Sequence, residues 1–206
     1  CVCGEFLFGE RLTTQSAEMS EEGETSKPVS SSAYYDAIAG GYERLHGAEQ
    51  NVKLKAVLPY LDLQTTDVIL DVGSGPCFTH DFFGVKAGKC KEVVGVDPSG
   101  GLLELAKKRG VTRTFVSRAE DMDKLPLKTG EFPLVVSFTA IQNFDDVERG
   151  LKEVERLGSD RFCLTYLRRS SKAAQIEEAM AKLFNVTKRI ELDFDIVFIA
   201  KKKQQL

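Results

Sequence analysis

Two short apolar runs, each leading to an acid, and a glycine pair between them carry the chemistry this chain can do. Val68-Ile69-Leu70-Asp71-Val72 is followed at once by Gly73-Ser74-Gly75-Pro76-Cys77, and Glu92-Val93-Val94-Gly95-Val96 ends in Asp97. The first run reads as a buried parallel strand entering a tight turn, because glycine lets a backbone approach a ligand where a Cβ would collide. In a doubly wound sheet the carboxyl ends of neighbouring strands share one edge, and a nucleoside crevice opens there. An acid at the end of the second strand is well placed to accept two hydrogen bonds from ribose hydroxyls.

The elements that position these residues follow in order. Strand one is Val68 to Val72, then a short helix runs from Phe78 to about Val85. Strand two, Glu92 to Val96, leads to a helix over Gly100 to Arg109, with Ser99 as N-cap and Gly110 just past its end. Strand three spans about Arg113 to Ser117 and strand four Phe132 to Phe138, with Pro133 near its start, where a missing N–H does least harm. Asp145 and Glu148 have the spacing of a capping box for a helix running to Leu157. Strand five is Arg161 to Leu167, and Ser170 or Ser171 caps the next helix. Thr187 to Asp193 and Asp195 to Lys201 are two strands with almost nothing between them, which demands an antiparallel pair.

Before strand one, residues 33–62 read as two helices outside the sheet, able to cover the crevice. The first carries Tyr34-Tyr35 and Tyr42 around Gly40-Gly41; the second runs from about Glu49 to Leu61. Residues 1–32 include an acidic, Ser/Thr-rich stretch with almost no apolar content, expected to be a disordered tail. Residues 33–206 form the single domain that a chain of 206 residues supports.

Leu70-Asp71-Val72-Gly73-Ser74-Gly75, followed by Gly95-Val96-Asp97, resembles the class I S-adenosylmethionine (SAM)-dependent methyltransferase family. Ala119-Glu120 ahead of Leu125-Pro126-Leu127, then Phe132-Pro133-Leu134-Val135-Val136-Ser137, match the family's next two segments in order and spacing. The resemblance runs from about Tyr34 to Lys203. It implies an α/β fold: a Rossmann-like three-layer sandwich with a seven-stranded, mostly parallel sheet whose last strand is inserted antiparallel. That agrees with the terminal hairpin derived above.

The resemblance also implies roles. Gly73, Ser74 and Gly75 pass close to the methionine part of SAM, and Asp71 organises that loop and the amino group. Asp97 takes the ribose and Pro98 lies on the adenine face. Ala119 and Glu120 occupy the adenine edge. Ser137, Phe138 and Thr139 face the transferable methyl, and Tyr35 and Tyr42 close over the ligand. Gln142 and Asn143, just past strand four, are candidates to face the acceptor with Tyr35; they read equally well as turn residues capping a helix. Many relatives carry glycine where Cys77 stands, and an aspartate for the adenine amino group where this chain has Arg118; Glu120 or Asp121 is then expected to take that contact.

A dinucleotide fingerprint would need a third glycine where Phe78 stands, so hydride transfer is disfavoured. His80 reads as a surface or capping residue, and Cys77 as packing. Five scattered cysteines build neither a disulfide framework nor a metal site, and free thiols fit a reducing cytoplasm. No apolar run approaches the roughly 20 residues that span a bilayer. A net charge of -3 draws the chain to neither nucleic acid nor anionic membrane as a whole. Of the local basic clusters, Arg168-Arg169 follows strand five at the cofactor edge, where it is able to hold a phosphate or carboxylate.

The acceptor is a small molecule, or an RNA or protein. Little chain separates strand five from the hairpin, where many small-molecule relatives insert a cap, which favours an open site or one completed by a partner. Strand three is expected at the sheet edge, where some RNA- and protein-modifying relatives bind a small activator. A SAM-binding module without catalysis is the remaining alternative.

Overall fold

The computed structural model describes residue 50 and residues 52–203. Tyr35, Tyr42, the expected tail and the first expected lid helix lie outside the described residues. Seven strands follow in chain order: β1 (Val68–Val72), β2 (Glu92–Asp97), β3 (Arg113–Val116), β4 (Phe132–Ser137), β5 (Gly158–Leu167), β6 (Phe184–Glu191) and β7 (Asp195–Lys202). They form one sheet in the order β3-β2-β1-β4-β5-β7-β6. The β1–β5 neighbours pair in parallel, while β7 is antiparallel to both β5 and β6. The expected seven-stranded sheet, with its last strand inserted antiparallel, is therefore present.

The strands alternate, and each side has its own core. Leu70, Val72, Val94, Val96, Val135, Phe162 and Leu164 pack on one face, while Ile69, Val93, Leu134, Val136 and Cys163 pack on the other. Helices cover both. α1 (52–57) continues as the 3₁₀ turn Leu58–Tyr60 and buries Leu54, Val57 and Leu61 against the second face. α2 (Phe78–Phe82) and α3 (Gly100–Arg109) share that side through Phe78, Phe82 and Ala106. α4 (Val147–Leu157) and α5 (Ala173–Leu183) cover the first face through Val147, Leu151, Val154, Ile176 and Met180.

Several local expectations need correction. The α4 N-cap is Asp146, whose carboxylate accepts from the Arg149 amide at 3.0 Å, and not Asp145. α5 begins after Lys172 with no side-chain cap; Ser170 Oγ instead accepts from the Lys172 amide. β5 starts at Gly158, directly out of α4, because a Cβ there would lie 2.3 Å from the Phe162 ring and only glycine lets the ring pack on the backbone. β6 likewise leaves α5 without a loop, at Phe184 rather than Thr187. The β4–β5 register slips between Phe132 and Leu134, at the residue where Pro133 has no N–H to give. Ser99 does cap α3, accepting from the Leu102 amide at 3.1 Å, and Gly110 closes it at φ 107°.

Candidate cofactor crevice

The carboxyl ends of β1, β2 and β4 surround a crevice whose wall includes Gly73, Gly75, Asp97, Pro98, Phe138 and Thr139. A smaller hollow beyond Gly73 and Phe138 is walled by Asp71, Ser74 and Thr79. Ala119, Glu120 and Asn143 also line the larger part.

The two acid-ended strands are joined at their tips. The Gly75 amide donates to Asp97 Oδ2 at 2.8 Å, and the Ser99 amide to Oδ1 at 2.8 Å. The Gly73 and Ser74 amides donate to the Val96 carbonyl, which folds the loop over β2. A carboxylate offers about four acceptor directions, and these two amides take one on each oxygen of Asp97. Asp97 is 7% exposed, so these bonds lie largely out of water.

Asp71 lies deeper, 2% exposed, and accepts from Thr79 Oγ1 at 2.5 Å. Burial lifts its carboxyl to about 7, with the Asp97 charge adding to the rise and the Thr79 bond opposing it. Near neutral pH it is thus poised to ionise when a cation arrives. Cys77 adopts a left-handed backbone (φ 56°), a conformation that favours glycine. Its thiol is fully buried and pushed up by that burial, the surroundings of a packing residue.

Two features fit a ligand combining a nucleoside with an amino acid. Gly73, at φ +69°, forms a cradle in which a Cβ would sit 2.3 Å from the Ala140 Cβ. Ser74 lines the smaller hollow, and among the described residues its buried hydroxyl has no hydrogen-bond partner.

Other expectations are redirected. Ser137 is fully buried, does not line the crevice, and among the described residues its hydroxyl has no partner. Gln142 is not on the crevice wall; its amide nitrogen donates to the Thr139 carbonyl at 2.6 Å and its oxygen accepts from the Leu167 amide at 3.3 Å. Asp121 is bound to Lys124 and Arg149 and does not line the crevice. Arg118 does, in an ion pair with Asp145, so an acid that sequence reading placed in a helix cap stands at the rim. Glu120 lines the wall and accepts from the Asp146 amide at 3.1 Å, fastening the β3–β4 connection to α4. His80 is buried beside Asp81 and not on the surface. Leu102, Ser117, Ala140 and Phe144 were missed; the only signal for them is position, directly after strands or on the inner turn of α3. Among the described residues no cluster of potential ligands could hold a metal, and no helix is long and apolar enough to cross a membrane.

Residues 70–160 match the family described as a methyltransferase domain. The chain is 31% identical over 131 residues to the malonyl-acyl-carrier protein O-methyltransferase of Legionella pneumophila, covering 62% of this chain and 45% of that protein. It is 27% identical over 149 residues to demethylmenaquinone methyltransferase of Bacteroides fragilis, covering 67% and 58%. The chain spans about half the length of the curated relatives it matches. A Haloferax volcanii complex of the Trm112 methyltransferase activator with a methyltransferase has a TM-score of 0.70 at 15% identity, covering 82% of this chain and 98% of that one. That likeness is one of fold. With the domain match from β1 into β5, residues 70–160 are thus similar to a methyltransferase domain and lie on a sheet of the strand order described above.

Proposed function

We propose that this chain binds SAM in the crevice and transfers its methyl group to an acceptor held at the carboxyl end of β4. The observation that carries this reading is the double amide grip on Asp97, which sets the acid of β2 and the glycine loop of β1 around one ligand-sized space. SAM supplies a methyl already activated on a sulfonium, so the protein's share is alignment and exclusion of water.

In this reading Asp97 accepts the ribose hydroxyls, Pro98 and Leu102 flank the adenine, and Ala119, Glu120 and the Arg118–Asp145 pair border its edge. Asp71, through its easily ionised carboxyl, and Ser74 hold the amino-acid end. Phe138, Thr139 and Asn143 flank the position of the methyl. Tyr35 and Tyr42, in a lid over 33–62, remain part of the proposal, as does a domain spanning 33–206.

Calorimetric titration of S-adenosylhomocysteine (SAH) into wild type and Asp97→Ala tests the cofactor assignment. Micromolar-range binding, weakened by about tenfold or more in the variant, is expected, because hydrogen bonds to a charged group are worth about 1.5–3 kcal/mol. Absence of binding to folded wild type would sink the reading. Radiolabelled SAM offered with candidate acceptors then separates an enzyme from a binding module.

A second reading concerns a partner. β3 is a sheet edge and its Val116 is 65% exposed, so an activator strand has a place to pair. Substituting Thr114 by proline should abolish activation by an added activator and leave SAH binding intact; activation that survives it rejects the edge as the docking place.

A further inference from the structure

Beyond Gln142, on the side away from the crevice, lies a hollow of about 390 Å³. Its walls come from the turn after β5, with Arg168 and Arg169, from Ser171 ahead of α5, and from Asp193 and Phe194 in the β6–β7 connection. The Arg168 amide donates to the Phe194 carbonyl at 2.8 Å, which fixes the two loops against each other, and the Ser170 amide closes the turn on the Leu167 carbonyl at 2.9 Å.

The charge state of this hollow is unusual for the molecule. Every other described arginine is held by a carboxylate, from Arg109 on Asp81 to Arg189 on Glu177. Arg168 and Arg169 alone among the described arginines have none, and they stand side by side on one cavity wall. Asp193 shares the hollow but forms no ion pair with either. The adjacent N-terminus of α5 has no acidic residue in its first turn and no side-chain cap, so its dipole adds positive potential. Phe194, 67% exposed, and Leu167, 38% exposed, offer apolar surface beside the two guanidiniums.

We propose that this hollow is the acceptor subsite, and that it takes the carboxylate or phosphate of a small anionic acceptor whose apolar body lies against Phe194 and Leu167. The inference rests on the SAM reading for what happens next. Gln142 forms the partition, bonded to Thr139 on the crevice wall and to Leu167 on the hollow, so an acceptor anchored by its anion reaches past Gln142 toward Thr139 and Asn143. A single anion fits better than a nucleic-acid backbone. The basic residues elsewhere are largely engaged, Lys107 by Glu104, Lys202 by Glu155 and Lys203 by the last carbonyls of α5, and the net charge is -3.

The test uses inorganic phosphate and benzoate as separate probes, titrated into ¹⁵N-labelled protein while the arginine Nε–H resonances are followed. Wild type and R168Q/R169Q are compared with K91Q/K108Q, which removes the same charge elsewhere on the surface. At least one probe should saturate wild type and K91Q/K108Q alike and bind R168Q/R169Q at least about tenfold more weakly. The tighter probe names the anion. Failure of both probes to saturate wild type, or equal weakening in the two double variants, overturns the proposal. SAH titrated into the same wild-type sample reports on the cofactor separately, so loss of SAH binding with anion binding intact would overturn the SAM reading and not the anion site.

Discussion

Lys53 and Asp195 form an ion pair shut off from water, with Nζ 2.8 Å from Oδ2 and each side chain 3% exposed. Thr139 completes the group: its hydroxyl donates to Asp195 Oδ1 at 2.8 Å and accepts from Lys53. Helix α1, the first residue of β7 and the crevice end of β4 are thereby tied at one point. Thr139 holds a left-handed backbone there (φ 55°), costly for a β-branched residue, and its amide is fixed by Thr165 Oγ1 at 2.7 Å.

Removing one partner strands a buried charge. Lys53→Met should lower the free energy of urea unfolding by about 3–5 kcal/mol, while Lys53→Met with Asp195→Leu should recover most of that loss. A single variant as stable as the double would show that water reaches the pair.

Asp71 makes stability depend on pH in an uncommon direction. Its folded carboxyl titrates at about 7 against 3.8 when exposed, so the folded state holds the proton more tightly. The stability it contributes is complete below about pH 4 and is lost as pH rises toward and through about 7. The difference in melting temperature, Asp71→Asn minus wild type, should therefore grow between those limits and level off above them. A flat difference would mean that Asp71 is already ionised in acid. SAH should recover part of the wild-type loss at pH 8, because its ammonium group favours the ionised carboxyl.

Gly73→Ala meets two obstacles, the left-handed backbone and the Ala140 methyl. The backbone term alone is about 1–2 kcal/mol. Adding Ala140→Gly removes the steric contact and leaves the backbone cost, so the double variant should fall between Gly73→Ala and wild type in thermal melts. SAH binding should follow the same order in calorimetry.

The rim acid is Asp145. Asp145→Ala should change folding stability by less than about 1 kcal/mol, as expected of an exposed pair, yet weaken SAH binding. Asp121→Ala, whose carboxylate serves Lys124 and Arg149 instead, should leave SAH binding as it is. Weakening by Asp121→Ala alone would return the adenine edge to the position favoured by sequence spacing.

The strand spans along the chain, the antiparallel hairpin and the glycine loop were legible because they rest on local signals: apolar runs, acids at strand ends, and a connection too short to cross over. Of the crevice wall, Asp97 followed from its strand end, while Pro98, Ala119, Glu120 and Thr139 were reached through the family resemblance. Asp145 was not legible, since Asp145 and Asp146 are adjacent acids before one helix and only geometry decides which caps it. Ser137 lies off the crevice wall for a related reason: one residue decides whether a strand end faces the core or the ligand. The Lys53–Asp195 pair lies beyond any local rule, because its partners come from the two ends of the described chain.

The insertion of β7 between β5 and β6 also has a consequence for the order of events on the ribosome. Phe162, Cys163 and Leu164 of β5 find their antiparallel partners only in Ala200, Ile199 and Phe198 of β7. Until those residues are made, β5 presents an apolar edge and β6 has no neighbour in the sheet. The nascent chain can assemble β1 to β4 as it emerges, but the half of the sheet that carries Asp195 and the arginine turn closes in a single late step. A stalled or truncated chain is therefore the species most prone to pair with a copy of itself.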